Sequence, residues 1–277
     1  MDPRVHHTHI GYAHELAANT VVSVDYTYQK GTRGLMTLDI NPLVNGVRLL
    51  APDFTRVFGR PDVLSGVNVK ASIGESEVNQ LTFKFQRRLP RATVQAHYTL
   101  ASAYAHGGSW AARGGSPTPQ DSFDPLAEGE WGPTGQDERH RVVATGVFEL
   151  PYGIQLSPVF QAASARPYSL TAGSDLNANG TNNDRWIDPA TGKQVSTNAG
   201  RGDATVVLDL RGTKFIPLGG DRRIAVFGEV FNVLNNANFG GSYTGNGRSV
   251  LFGQPSGGFI PAIGYPRQLQ LGARFLF

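Results

Sequence analysis

Apolar and polar residues alternate along this chain in short, regular stretches. The last of them shows the rule. Leu269, Leu271, Ala273, Phe275 and Phe277 are apolar, and Gln268, Gln270, Gly272 and Arg274 between them are polar or small. A period of two places the sets on opposite faces of a β-strand. Four earlier pairs repeat it. Ile10, Tyr12 and Leu16 share a face opposite His7, His9 and Glu15. After Ala17-Ala18-Asn19, Val22, Val24, Tyr26 and Tyr28 alternate with Ser23, Asp25, Thr27 and Gln29. Leu81, Phe83 and Phe85 lead to a reversal at Leu89-Pro90-Arg91, then Val94, Ala96, Tyr98 and Leu100. Val142, Ala144, Gly146, Phe148 and Leu150 turn at Pro151-Tyr152-Gly153 into Ile154, Leu156 and Phe160. Pro158 cannot donate to a ladder, so a bulge or weak pairing is expected there. Ala204, Val206, Leu208 and Leu210 reverse near Gly219-Gly220 into the segment 223–233. In that last strand Glu229 shares parity with Phe227 and Phe231, and a bulge near Gly228 would reconcile them.

The result is about nine strands in which tight reversals alternate with long ones, at about 31–75, 106–138, 168–202 and 235–265. Such one-sided asymmetry is the pattern of a transmembrane barrel, with short turns on one side of the membrane and long loops on the other. The expected fold is an all-β, antiparallel up-and-down transmembrane β-barrel segment. Its polar faces, such as Ser23/Asp25/Thr27/Gln29 and Asp209/Arg211/Thr213, would line a wet interior. In a dry core those charges would cost several kcal/mol each unless paired.

Composition agrees. Charged residues are 17% of the chain, against roughly 25% in an average soluble domain. Gly, at 34, and Pro, at 17, favour turns. No stretch of helical period stands out, and no apolar run approaches the roughly 18 residues of a membrane helix. The net charge of +3 is spread without a basic block, which gives no nucleic-acid footprint. Cysteine is absent, so disulfides and thiolate sites are excluded. The first residues have no apolar signal-peptide core.

The spacing of Gln270, Gly272, Phe275 and Phe277 resembles the C-terminal assembly signal of outer-membrane β-barrels. The segment 206–235, from Val206-Val207-Leu208-Asp209-Leu210-Arg211 through Gly219-Gly220 to Phe231-Asn232-Val233-Leu234-Asn235, resembles the closing strands of TonB-dependent outer-membrane receptors, their Oar-like branch above all. Val24-Asp25-Tyr26-Thr27-Tyr28-Gln29-Lys30-Gly31 looks like an internal hairpin of the same barrels. The resemblance implies a bacterial outer-membrane location, lipid and the barrel assembly machinery as partners, and a parent that imports a substrate through a plug moved by TonB. Such receptors close about 22 strands around the plug. Nothing here resembles the plug or the TonB box. Counting back from a periplasmic C-terminus places residue 1 outside the cell, and the strand count is odd where bacterial barrels are even. The chain, 1–277, is therefore expected to be the C-terminal part of a larger receptor whose N-terminal strands and plug are missing. Rival readings are a small stand-alone porin or adhesin, and a secreted β-sandwich binding module.

Candidate chemistry is sparse. Asp175-Leu176-Asn177-Ala178-Asn179-Gly180 fits the opening of a calcium loop, with Asp184 nearby. The twelfth position is Trp186 rather than Glu, and Asn-rich loops also form ordinary Asx turns. Both readings stay open, with calcium the sole candidate cofactor. His6, His7, His9 and His14 crowd the first strand without a matching carboxylate. Arg201-Gly202-Asp203 looks like an adhesion tripeptide but also opens a strand. Asp121, Asp124, Glu128 and Glu130 could pair for acid–base work or form a solvated acidic loop. No G-x-S-x-G, H-E-x-x-H or phosphate loop occurs, and no enzymatic activity is expected. Loop aromatics Trp110, Phe123, Trp131, Trp186, Tyr243 and Phe259 could contact a ligand. Tyr26, Tyr28, Tyr98 and Tyr104 suit the girdle at the membrane interface.

Overall fold

The structure is a computed structural model, and it describes residues 2–60, 65–109, 117–256 and 265–277. In chain order the elements are β1 (Arg4–Ala17), β2 (Thr20–Asp39), β3 (Leu43–Val44), β4 (Val47–Arg48), α1 (Ala51–Phe58), β5 (Asn68–Leu89), β6 (Ala92–His106) and β7 (Trp131–Pro133). They continue with β8 (His140–Leu150), β9 (Ile154–Ala163), β10 (Pro167–Tyr168), β11 (Gly200–Arg201), β12 (Thr205–Gly219), β13 (Arg222–Phe231) and β14 (Gln268–Leu276). One ten-stranded sheet carries the molecule, in the order β1-β2-β5-β6-β8-β9-β12-β13-β14, with β7 added to β6. Every pairing in it is antiparallel. The sheet does not close, and β1 and β14 are its two edges.

Register carries the period of two across the strands. One row runs Tyr12, Val24, Phe83, Tyr98, Val142, Ala162, Val206. The next row, on the other face, runs Gly11, Asp25, Thr82, Thr99, Arg141, Ala163, Thr205. The apolar face is bare: Ile10 is 69% exposed and Leu271 76%. Among the described residues the largest fully buried side chains are Met36, Glu130, Asn41, Asn238, Asp137, Asp184 and Pro119, mostly polar and in connections. A sandwich would bury its aliphatic face against a second sheet. Here that face has no protein partner among the described residues, so the sandwich reading falls and lipid is the fitting solvent.

Two expectations about strands need correction, and a third holds in part. The first long connection is shorter than 31–75, because β2 runs on to Asp39 and β5 starts at Asn68. Bulges at Gly31/Gly34 and Gly34/Leu35 scramble the alternation there without ending the pairing. A strand of 20 residues is about twice what a bilayer needs, so β2 and β5 rise beyond the membrane. Between them sit the β3–β4 hairpin and α1, a helix whose period the sequence did not reveal. At Pro158 the ladder to β12 is intact, and no bulge forms. The weak pairing expected there is found on the β8 side alone, at Gly146 and Val147, where the missing N–H would have bonded.

No bulge forms at Gly228 either. Phe227 lies on the polar face, with the Arg211 guanidinium 3.9 Å from its ring centre. Its ring also covers Gly272 of β14, where an added Cβ would overlap it. An aromatic over a cross-strand glycine fills the gap the glycine leaves. Gly272→Val is expected to lower the urea midpoint in detergent by an amount equal to about 1–3 kcal/mol. Adding Phe227→Ala should return part of that loss, and strictly additive losses would contradict the contact.

Candidate functional site

Two regions carry the polar chemistry, the inner wall of the sheet and the layer of long loops. On the wall, Asp25 of β2 accepts from Lys84 of β5 at 2.9 Å and lies 3.6 Å from His9 of β1. Arg211 of β12 meets Glu229 of β13 at 3.0 Å. Charges on neighbouring strands thus neutralise each other along a face that water can reach. The histidines do not converge. His9 is engaged by Asp25 and, at 3.1 Å, by Thr27, while His14 stacks on Tyr12. Among the described residues no three His, Asp or Glu side chains are grouped to hold a metal.

The loops fold onto one another through buried acids. Asp137 is 1% exposed and binds the Ala103 amide at 2.9 Å and Arg201 at 2.8 Å. Glu138 holds Arg141 at 2.7 Å and Arg166 at 2.6 Å. Glu130 accepts from the Gln120 amide at 2.8 Å and pairs with Arg185 at 2.5 Å. Asp121 closes its own turn on the Phe123 amide at 2.8 Å. Glu130 and Asp121 therefore have structural roles. Asp137 and Glu138, the more consequential acids, were not singled out from sequence. Their signal was slight: two acids flanked by Arg139 and Arg141.

Three of the four loop aromatics among the described residues are also committed inward. Trp131 of β7 packs on Tyr104 and His106, with ring centres 6.4 and 5.0 Å away. Burial holds His106 below the usual histidine range, and its Nδ1 accepts from the Glu75 amide at 3.1 Å. Trp186 tilts against Phe252 at 5.4 Å. Tyr243 stacks on Tyr168 at 5.3 Å and donates to Asp203. Burial and that carboxylate push its hydroxyl up to about 12. Arg201 and Asp203 are thus both bonded within the chain, and the tripeptide around Gly202 is not a free ligand. Phe123 stays exposed. Trp110 and Phe259 lie outside the described residues. Of the tyrosines assigned to the girdle, Tyr26 and Tyr98 sit in the apolar rows, and Tyr26 donates to Asn79 at 2.8 Å.

The segment 175–184 is wound around its own side chains. Asp175 accepts from the amides of Asn179 at 3.1 Å and Gly180 at 2.7 Å. Asn177 accepts from Asn179 at 3.1 Å, and Asn179 from Thr181 at 2.8 Å. Asp184 accepts from Leu176 at 2.5 Å and Asn177 at 3.2 Å. The side-chain amides of Asn177, Asn179 and Asn183 donate to the carbonyls of Gln120, Gln120 and Pro119. Four side chains singled out in sequence are thus brought into one loop.

At the C-terminus, Gln270 and Gly272 face the inner wall opposite Glu229 and Phe227. Phe275 lies on the apolar face opposite Ile224. Phe277 follows the strand, 94% exposed, its ring 5.8 Å from that of Phe275. Where the inner wall meets the loops there is a cavity of about 850 Å³, lined by Val5, Gln29, Ser76, Val78, Tyr104 and Asn198 among others.

An antiparallel meander with one bare apolar face, one charged wall, tight turns at one end and folded loops at the other is the wall of an outer-membrane β-barrel. The chain belongs to the family described as outer membrane beta barrel domain, whose model matches residues 1–270. Its place is the bacterial outer membrane. Two solved structures share the fold. The outer membrane transporter YddB from Escherichia coli is 12% identical with a TM-score of 0.54, over 84% of this chain and 29% of that one. The FrpB iron transporter from Neisseria meningitidis (F3-3 variant) is 14% identical with a TM-score of 0.52, over 98% of this chain and 31% of that one. The chain thus spans about three tenths of the length of the transporters it matches. No curated protein matches the sequence significantly.

Proposed function

We propose that this chain is the closing part of a TonB-dependent transporter barrel of the Oar-like kind, whose parent imports a substrate across the outer membrane. The single observation that carries the reading is the open sheet. Nine strands in sequential order leave β1 and β14 unpaired on their outer sides, and an outer-membrane barrel leaves no edge in lipid. Further strands of the parent would pair with both edges, and a plug moved by TonB would fill the lumen. Gln270, Gly272, Phe275 and Phe277 would present the signal that the barrel assembly machinery reads. In this reading the chain would supply wall and loops to the parent. The rival is a stand-alone porin or adhesin, which must close β1 on β14 within one chain or gain strands by oligomerising.

The absence of cysteine makes the test clean. Single cysteines placed along β1 and β14 in pairs report which edge meets which. The expected result is no β1–β14 disulfide within one chain and no conductance of the purified chain in lipid bilayers. An intrachain or interchain β1–β14 disulfide together with steady conductance would favour the porin and end the proposal.

A further inference from the structure

Among the described residues, Asp184 is the least comfortable carboxylate. It is 0% exposed, and its Oδ1 has no hydrogen-bond partner. Its Oδ2 takes two amide protons, from Leu176 and Asn177, which holds the carboxylate against the start of the 175–180 loop. The Asn183 side-chain oxygen beside it is likewise buried without a partner. Among the described residues neither Asp175 nor Asp184 makes an ion pair. The nearby cations are committed elsewhere: Arg185 to Glu130, and Arg48, whose guanidinium lies close to Gly180, to Asp39. Burying an ionised carboxylate without a counter-charge costs several kcal/mol.

We propose that the 175–184 loop is a calcium site, with Asp175, Asn177, Asn179 and Asp184 as its side-chain ligands. The buried, unpartnered Oδ1 of Asp184 supplies the second carboxylate where Trp186 replaces the usual Glu. All available donors are oxygens, and the loop contains no His, which suits a hard cation over a transition metal. Two carboxylates with neutral amide oxygens make a modestly charged site. It sits among the long loops, which face the cell exterior, and sites in extracellular modules bind calcium at about 0.1–1 mM. The ligand asparagines Asn177 and Asn179 donate their amides to the Gln120 carbonyl, and Asn183 donates to that of Pro119. Calcium in the loop would therefore fix two extracellular segments together, whatever the barrel carries.

The full chain in detergent is titrated with calcium chloride by calorimetry, and with terbium chloride under tryptophan excitation. Trp186, two residues from Asp184, is placed to sensitise the terbium. Calcium heat and displacement of the terbium emission are expected with one midpoint of about 0.1–1 mM. Asp184→Asn should weaken calcium at least tenfold, and Asp175→Asn should do the same if the first variant does not fold. Trp186→Phe should abolish the emission while keeping the calcium heat, which assigns the signal to this loop. The proposal is overturned by any of three outcomes: no heat and no calcium-displaceable emission at about 10 mM, well above the expected range; equal affinity for magnesium; or wild-type calcium affinity in both carboxylate variants.

Discussion

Ala144→Arg will destabilise the protein by about 2–4 kcal/mol in a lipid bilayer, whereas Thr145→Arg, one residue on, will change stability little. Both residues lie near the middle of β8, a strand of 11 residues. Ala144 pairs with Ala96 and Phe160 in the apolar rows, and Thr145 with Gln95 and Val159 on the inner wall. An arginine at the membrane midplane must drag its charge into hydrocarbon or bend out of it. On the inner wall it meets water. Ala144 has almost no side chain to lose, so the difference isolates the charge term. Urea unfolding of both variants in lipid vesicles measures it. Equal losses, or the reverse order, would show that the faces have been assigned wrongly.

The second large effect belongs to Asp137. Asp137→Ala should loosen the loop layer by about 2–4 kcal/mol, at or just below the range for breaking a buried ion pair. It removes the acceptor for the Ala103 amide and the counter-charge of Arg201, with Arg139 a further 3.8 Å contact. The side chain of Asp137 is wholly buried, but that of Arg201 is 39% exposed and can rehydrate, which trims the loss. Hydrogen exchange at Ala103 and protease cleavage in 134–139 should both speed up. Asp137→Asn, which can still accept from Ala103, should lose less. If Asp137→Ala leaves exchange at Ala103 unchanged, the acid does not organise the loops.

The strands were legible in sequence because alternation is a local property and lipid removes the need for anything else. A strand between lipid and water needs one apolar face and one polar face, and no distant partner has to be guessed for either. The rows through Val24 and Asp25 follow directly. The same logic failed where a residue broke the local rule for a tertiary reason. Phe227 looked misplaced because the glycine it covers lies on the next strand, 45 residues away by number. At Pro158 a bulge or weak pairing was expected, and only the weak pairing formed, on one side, because sequence does not say which neighbour the missing N–H would face. The β2–β5 extension was hidden by two bulges at glycines.

The candidate site divides the same way. Asp175, Asn177 and Asn179 could be read, since one turn of chain brings them together. The role of Asp137 could not, because its partner Arg201 is 64 positions away. The burial of Asp184 depends on the loops packed around it, with Asn179 and Asn183 reaching back to the carbonyls of Gln120 and Pro119. The sequence by itself determined the two-faced strands, their order and the alternation of tight and long connections, since each depends on neighbours a few residues apart. Only the tertiary structure decided which acids are buried, which aromatics are committed inward and which carboxylate oxygen is left unpartnered. Those properties arise from long-range contacts between loops, and desolvation acts only once the loops have closed over the groups.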